Sequence, residues 1–196
     1  SNGGVQDIRL LAPEQVLGKE AVDGFLEVRL DLARQWPQLS VLLSPHARLL
    51  PRRVEPYLRG RSVFTVVVPI EKMDRYSGDW IVWFSPSVAS AGNIGNNVKV
   101  QAPLPIWKLE SKRWLVSKGE QGVEQRVQMV IVISREGRVE FKELIGRFGA
   151  ELNRLVTNDI SRWVFQPARV NGQAIDVDAV VEIPYRIPPP LQTASP

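Results

Sequence analysis

Residues 162–168 read Arg-Trp-Val-Phe-Gln-Pro-Ala and mark the point where a helical pattern changes into an extended one. Upstream, residues 149–163 place their apolar side chains on one stripe, which predicts an amphipathic helix. That stripe consists of Leu152, Leu155, Val156, Ile160 and Trp163. Downstream, Asn171-Gly172 is a strong signal for a hairpin turn. Residues 174–187 then alternate apolar and polar side chains, which predicts a half-buried strand.

A second hairpin is predicted upstream of the helix. Val127–Ser134 is an apolar, β-branched run typical of a strand. Arg135-Glu136-Gly137 follows as a tight turn, in which the glycine can adopt a positive φ. Arg138–Leu144 alternates and returns as the second strand. Two strands, a helix and a final strand indicate an α+β unit with an antiparallel sheet packed on one helix.

Three stretches resemble the carboxy-terminal domain of the TonB family, whose members are energy transducers of the bacterial cell envelope. The first is residues 124–139, EQRVQMVIVISREGRV, and the second is residues 162–168. The third is Asn171-Gly172 with the strand 177–187, which ends in Ile-Pro-Tyr-Arg-Ile. Residues 119–123 lack the Tyr-Pro pair that the family usually carries before its first strand.

The resemblance implies a TonB-like β-β-α-β unit over residues 125–187. It also implies a non-enzymatic, periplasmic protein-binding module that needs no cofactor and no metal. In the family, this domain couples an inner-membrane complex to outer-membrane receptors by taking up a receptor peptide as an added β-strand. The membrane anchor of such a protein is expected to precede Ser1. A cell-envelope scaffold that binds another envelope protein without energy coupling is the alternative.

By the same analogy, the last strand receives the partner peptide. The residues predicted to bind it are Asp178, Ala179, Val180, Val181, Glu182 and Ile183. Edge strands offer unpaired N–H and C=O groups to an extended peptide. Pro184 agrees with an edge position, because proline removes one donor and is tolerated at sheet edges. The competing interpretation is that the amino-terminal half or a second copy of the chain, in a homodimer, covers this edge.

The amino-terminal half predicts a mainly β domain of unknown role. Residues 25–32, 61–69 and 80–84 have strand patterns, and the last two form an antiparallel pair with a long connection. The predicted organisation is a domain at 1–110, a linker at 111–124, the TonB-like unit at 125–187 and a disordered tail at 188–196. The longest apolar runs are strand-sized, so no membrane-spanning segment is predicted.

Composition excludes most enzyme chemistries. The 196 residues include no cysteine, so thiolate metal sites and thiol nucleophiles are absent. His46 is the one histidine and has no predicted catalytic partner. A hydrophobic fraction of 44% with 23% charged residues is typical of a globular chain rather than a disordered one. A small-ligand or hydrolytic site within residues 1–110 is the remaining route to an enzyme.

Two clusters of charged residues can be interpreted either as functional sites or as solvated surface. Asp176 and Asp178 share a strand face and could bind a hard cation, but a solvated polar face explains them more simply. An arginine cluster carries most of the localised positive charge of a chain whose net charge is +4. Its members are Arg48, Arg52, Arg53, Arg59 and Arg61. A solvated arginine-rich segment is favoured there, and no nucleic-acid partner is predicted.

Overall fold

The computed structural model describes residues 25–29, 50–68, 80–87, 98–111 and 123–187. Within these residues the protein is mostly antiparallel sheet with two helices. The helices are α1 (Glu55–Leu58) and α2 (Ala150–Ile160). The strands are β1 (Phe25–Arg29), β2 (Phe64–Val68), β3 (Trp80–Pro86), β4 (Val100–Gln101), β5 (Leu104–Ser111), β6 (Val123–Ile133), β7 (Val139–Ile145), β8 (Val164–Gln166), β9 (Arg169–Val170), β10 (Gln173–Ala174) and β11 (Val177–Ile187).

A five-stranded antiparallel sheet organises the fold, in the order β2-β3-β11-β6-β7. The β6–β7 hairpin is confirmed, with Gly137 at a φ of 79° in its turn. The antiparallel pairing of β2 with β3 is also confirmed. The last strand, β11, lies at the centre of this sheet rather than at its edge. The expectation that it is an edge strand is therefore wrong.

The main hydrophobic core lies between one face of this sheet and α2. Alternate residues of β3, β6 and β11 point into it, as a period of two requires. Val156 and Ile160 supply the buried face of the helix, and Trp163 is buried just beyond its end. The Trp163 ring stacks on Trp80 of β3, with ring centroids 4.9 Å apart. The predicted helical stripe is thus confirmed at its three described positions, and it packs against a strand from the amino-terminal half.

A smaller core lies on the opposite face of the sheet and is covered by α1 and its flanking residues. Its buried members are Val54, Leu58, Val63, Trp83, Ile145 and Val180. Trp80 and Trp83 lie in the two different cores, as their odd spacing on one strand predicts. Both faces of β3 and β11 are therefore covered, which is the burial expected of central strands.

Two small sheets join residues 98–111 to the carboxy-terminal half. Their orders are β1-β5-β8 and β10-β9-β4. The β9–β10 hairpin turns at Asn171-Gly172, where φ is positive at both residues, so the predicted hairpin is confirmed. Strand pairs β3–β11, β4–β9 and β5–β8 all cross the predicted boundary between two domains. The division itself stays a prediction, since residues 112–122 and 188–196 lie outside the described residues.

Candidate strand-binding site

The predicted binding residues Asp178–Ile183 all lie in β11, and most of their surface is covered. Ala179, Val181 and Ile183 are buried in the main core. Val180 points to the other face and is fully buried beneath α1. On that same face, Asp178 and Glu182 are only half-buried. These residues share a strand, but their side chains do not form one exposed surface.

The backbone of Asp178–Glu182 is paired on both sides, and Ile183 pairs with β6 alone among the described strands. Along one side, Val177 to Glu182 pair with Pro86 to Ile81 of β3. Along the other side, the whole of β11 pairs with β6. The amino-terminal half thus occupies the place predicted for a partner strand, as the competing interpretation held. Partner binding at Asp178–Ile183 stays a prediction, and it requires β3 to leave.

The departure of β3 has a large energetic cost. Trp80, Val82 and Phe84 of that strand are fully buried in the main core. Each such side chain contributes about 1.5–3 kcal/mol by burial, so exposing all three costs roughly 5–9 kcal/mol. That is comparable to the whole stability of a typical domain, about 5–15 kcal/mol. A short peptide without large apolar side chains does not offset this loss.

Pro184 lies just beyond the stretch that β3 covers. Its backbone is opposite Arg126 of β6, whereas the β3 ladder ends at the Glu182–Ile81 pair. Among the described strands, residues 184–187 pair with β6 alone. The missing N–H of proline therefore falls where β11 has a single partner strand, which agrees with the general preference of proline for such positions.

Arg61 ties the segment before β2 to the central strand. Its Nη1 donates to Asp178 Oδ2 over 2.7 Å, and its Nη2 donates to the carbonyl oxygen of Pro86. The Arg61 side chain is 20% exposed and that of Asp178 is 33% exposed. A partly buried, doubly bonded arginine fixes geometry better than an exposed ion pair does. This contact holds β3, β11 and the chain entering β2 in one arrangement.

Asp176 clamps the turn of the β6–β7 hairpin. The Arg135 backbone N–H donates to Asp176 Oδ1 over 2.8 Å, and Arg135 Nη2 donates to Oδ2 over 2.9 Å. The side-chain and backbone hydrogen bonds from Arg135 lower the pKa of Asp176. The Asp176 carbonyl oxygen also accepts a hydrogen bond from the Ser87 N–H. Asp176 therefore links the hairpin turn, the end of β3 and the start of β11.

The two aspartates are thus occupied by arginines rather than arranged as a cation site. Asp176 pairs with Arg135 and Asp178 pairs with Arg61. Within the described ranges, no group of three or more acidic or histidine side chains is placed to hold a metal ion. His46 lies outside those ranges. The two carboxylates act as structural partners of the sheet.

The two outer strands of the five-stranded sheet differ in character. β7 carries the exposed charges Glu140, Lys142 and Glu143, and its register with β6 shifts between Val130 and Ile131. Exposed charges and bulges protect a sheet edge from strand addition. β2 has neither feature: it reads Phe-Thr-Val-Val-Val, and it pairs with β3 in regular register. In the described part of the chain, one large hydrophobic side chain is exposed, and it belongs to Val67 of β2, which is 43% exposed.

The β2 edge was missed as a candidate site from the sequence, although its strand was predicted. The signal is the absence of charge over residues 64–68, in contrast to the charged outer strand 139–145. The contrast between these two strands indicates a difference in edge protection only when both are known to be outer strands of the sheet. The interpretation of the arginine cluster also changes, because Arg61 forms a salt bridge with Asp178 and Arg59 forms one with Glu55.

Comparison with known proteins decides the family of the carboxy-terminal part. Residues 117–187 match the family model for the Gram-negative bacterial TonB protein C-terminal domain. This part of the chain is a TonB carboxy-terminal domain. It runs from just before β6 to the end of β11, so α2 and the helix-end motif fall within it. Neither the curated proteins nor the solved structures give a significant match to the chain.

The family assignment changes the meaning of the pairing between β3 and β11. The TonB domain supplies β6, β7 and β11 to the five-stranded sheet, whereas β2 and β3 come from outside the matched residues. TonB carboxy-terminal domains are protein-interaction domains of the Gram-negative envelope, and catalysis is not their role. No helix in the described part of the chain is long and apolar enough to cross a membrane.

Proposed function

We propose that this chain is a non-enzymatic, periplasmic protein-binding module that couples an inner-membrane complex to outer-membrane receptors by β-strand addition. The observation that carries the proposal is the TonB match over residues 117–187. The partner is an extended peptide segment of an outer-membrane receptor or of another envelope protein. An inner-membrane anchor would precede Ser1 in the full-length protein.

The architecture supports strand addition as the binding mode. An antiparallel sheet of five strands ends in outer strands whose outward N–H and C=O groups can pair with an extended peptide. Within the TonB domain, β11 already pairs with a strand from outside the domain over residues 177–182. Residues Asp178–Ile183 would receive a partner only in a form of the protein from which β3 has left. A folded chain in which β3 stays in place would receive the partner peptide on another strand of the sheet.

Calorimetric titration of the chain with a synthetic peptide from the periplasmic segment of an outer-membrane receptor tests the proposal. Saturable binding is expected, and N-methylation of the peptide backbone should abolish it because strand addition depends on backbone hydrogen bonds. Equal binding of the methylated peptide would refute strand addition. Failure of receptor peptides alongside binding of a peptide from another envelope protein would favour the scaffold without energy coupling.

A further inference from the structure

We propose that β3 is an autoinhibitory strand of the TonB domain: it binds the backbone donors that β11 offers on one side, and it does not exchange with an outside strand while the chain is folded. This inference rests on the function proposed above and concerns the regulation of its predicted site. It assigns a role to the amino-terminal half of the chain, which lies outside the residues matched to the family.

The first argument is the direction in which the backbone groups of β11 point. The Ser87 N–H donates to the Asp176 carbonyl oxygen, and these two residues lie opposite each other when the β3–β11 register is continued by one pair. Opposite residues of an antiparallel ladder alternate between hydrogen-bonded and non-hydrogen-bonded pairs. The N–H and C=O groups of Asp178, Val180 and Glu182 therefore point toward β3, and those of the residues between them point toward β6.

The second argument is the position of Pro184 in this alternation. Pro184 is the next residue of β11 whose backbone points to the β3 side, and it has no N–H to offer there. The β3 ladder ends at Glu182, one hydrogen-bonded pair before that position. β3 thus uses the donors of Asp178, Val180 and Glu182 and ends where the next donor is missing. While β3 stays in place, an outside peptide would find no free donor on that side of residues 178–184.

The third argument is the way in which the end of β3 is held. Pro86, the last residue of β3, lies in a non-hydrogen-bonded pair with β11, so its carbonyl oxygen points to the side of β2. The β2 ladder ends at the Phe64–Phe84 pair and does not reach this carbonyl. Arg61 Nη2 donates to it, while Arg61 Nη1 donates to Asp178 Oδ2. One arginine therefore satisfies the carbonyl that β2 leaves and holds the end of β3 against β11.

The fourth argument is that β3 does not leave alone. β2 pairs with β3 and follows α1 after residues 59–63, so the departure of β3 also pulls on both of these elements. The further side chains that would lose their burial are Leu58, Val63, Phe64, Val66 and Val68. Both cores would open together, so the released form is far rarer than the loss of the β3 side chains alone would make it. A peptide that binds only the released form has its affinity reduced by that small population.

Amide hydrogen exchange of the intact chain tests the inference without any ligand. On one side of β11, the amides of Trp83 and Ser85 donate from β3. On the other side, the amides of Met129 and Ile131 donate from β6. The two sets should have protection factors within about threefold of each other, because the whole sheet opens as one unit. Protection of the β3 set about tenfold or more below the β6 set would show that β3 opens while the TonB domain stays folded, and would overturn the inference.

Paired variants sharpen this measurement. Arg61→Ala removes the contact that holds the end of β3, and it should lower the protection of both amide sets by the same factor, about 5- to 30-fold. Arg59→Ala is the matched control, because it removes a 73% exposed arginine whose partner is Glu55, and it should leave both sets nearly unchanged. Loss of protection in the β3 set alone in Arg61→Ala would show an independently opening strand and contradict the inference.

A cross-linked variant separates the inference from the proposed function. The chain has no native cysteine, and Ile81 lies opposite Glu182 in the β3–β11 ladder. Oxidation of the Ile81→Cys/Glu182→Cys variant would lock β3 onto β11. Its oxidised and reduced forms are titrated with a synthetic peptide from the periplasmic segment of an outer-membrane receptor.

Each outcome of this titration has a distinct meaning. Equal binding by both forms would support the inference together with the proposed function, because the peptide then binds the sheet without displacing β3. Binding that is lost on oxidation and restored by reduction would overturn the inference and leave the function standing. No binding by either form, with equal protection of the two amide sets, would support the inference and reject receptor binding as the function.

Discussion

Two glycines with nearly the same backbone conformation allow the structure to be tested quantitatively. Gly137 in the β6–β7 turn has a φ of 79°, and Gly172 in the β9–β10 turn has a φ of 83°. A Cβ at Gly137 would lie 1.9 Å from the carbonyl oxygen of Phe165, whereas a Cβ at Gly172 would have no heavy atom within 4 Å. Alanine at either position carries the same left-handed strain. Only alanine at Gly137 also collides with neighbouring backbone.

The strain contributes about 1–2 kcal/mol in each variant. At Gly137 the turn must also move away from β8, which breaks the 2.9 Å hydrogen bond from the Phe165 N–H to the Gly137 carbonyl oxygen. That bond is worth about 1 kcal/mol, and loosening the fully buried Phe165 adds about 1.5–3 kcal/mol. Gly137→Ala should therefore lower the free energy of unfolding by about 3.5–6 kcal/mol in total, and Gly172→Ala by about 1–2 kcal/mol.

Equilibrium urea unfolding, followed by tryptophan fluorescence, measures both variants against the parent chain. The difference between them, about 2.5–4 kcal/mol, isolates the contact between the turn and the Phe165 backbone. A Gly137→Ala variant as stable as Gly172→Ala within about 0.5 kcal/mol would refute the close approach of the turn to β8. A Gly137→Ala variant that does not fold, beside a Gly172→Ala variant that does, would show a loss larger than the left-handed strain alone, as the collision predicts.

Three further perturbations test the contacts around β11. Arg61→Ala should lower the free energy of unfolding by about 1–2 kcal/mol, and a double-mutant cycle with Asp178→Asn should show coupling between the two side chains, since both are partly buried. Arg135 lowers the pKa of Asp176 in the folded state, so the stability from this contact is present above about pH 4 and is lost as the pH falls through the folded pKa. Asp176→Asn should therefore flatten the acid side of the profile of stability against pH, measured by thermal unfolding. Trp80→Ala should lower the free energy of unfolding by about 3–5 kcal/mol and shift the single cooperative unfolding transition of the whole chain. A loss of structure confined to residues before 112 would show that β3 is not part of the TonB domain's core.

Local signals in the sequence predicted the elements that depend on neighbouring residues. The Asn171-Gly172 turn, the Gly137 turn and the amphipathic stripe ending at Trp163 are each fixed by interactions within a few residues. The order of strands in a sheet depends on pairing between residues far apart in the chain, such as Val180 and Trp83. Alternation predicts which face a residue lies on, but it does not predict which strand lies beside it.

One signal for the central position of β11 was nevertheless present. Val180 and Val181 are adjacent and apolar, so both faces of the strand carry a side chain that must be buried. The run Trp80–Phe84 is apolar at every position, which is also typical of a strand covered on both faces. The alternating set predicts only that one face of the strand is buried, and the edge position was implied by the family resemblance and by Pro184. The adjacent pairs, not the alternation, distinguish a central strand from an edge strand.

The charged residues of β11 also explain why this strand joins the sheet in one register. Successive side chains of a strand point to opposite faces, so a slip of β11 by one residue would turn Asp178 and Glu182 into the main core. There they would lose Arg61, Arg126 and Gln128, their partners on the other face. A buried carboxylate without a partner is strongly unfavourable, which excludes that register. The polar face that looks merely solvated in the sequence therefore specifies which face of β11 is buried, and it presents Asp178 to Arg61 from the amino-terminal half of the chain.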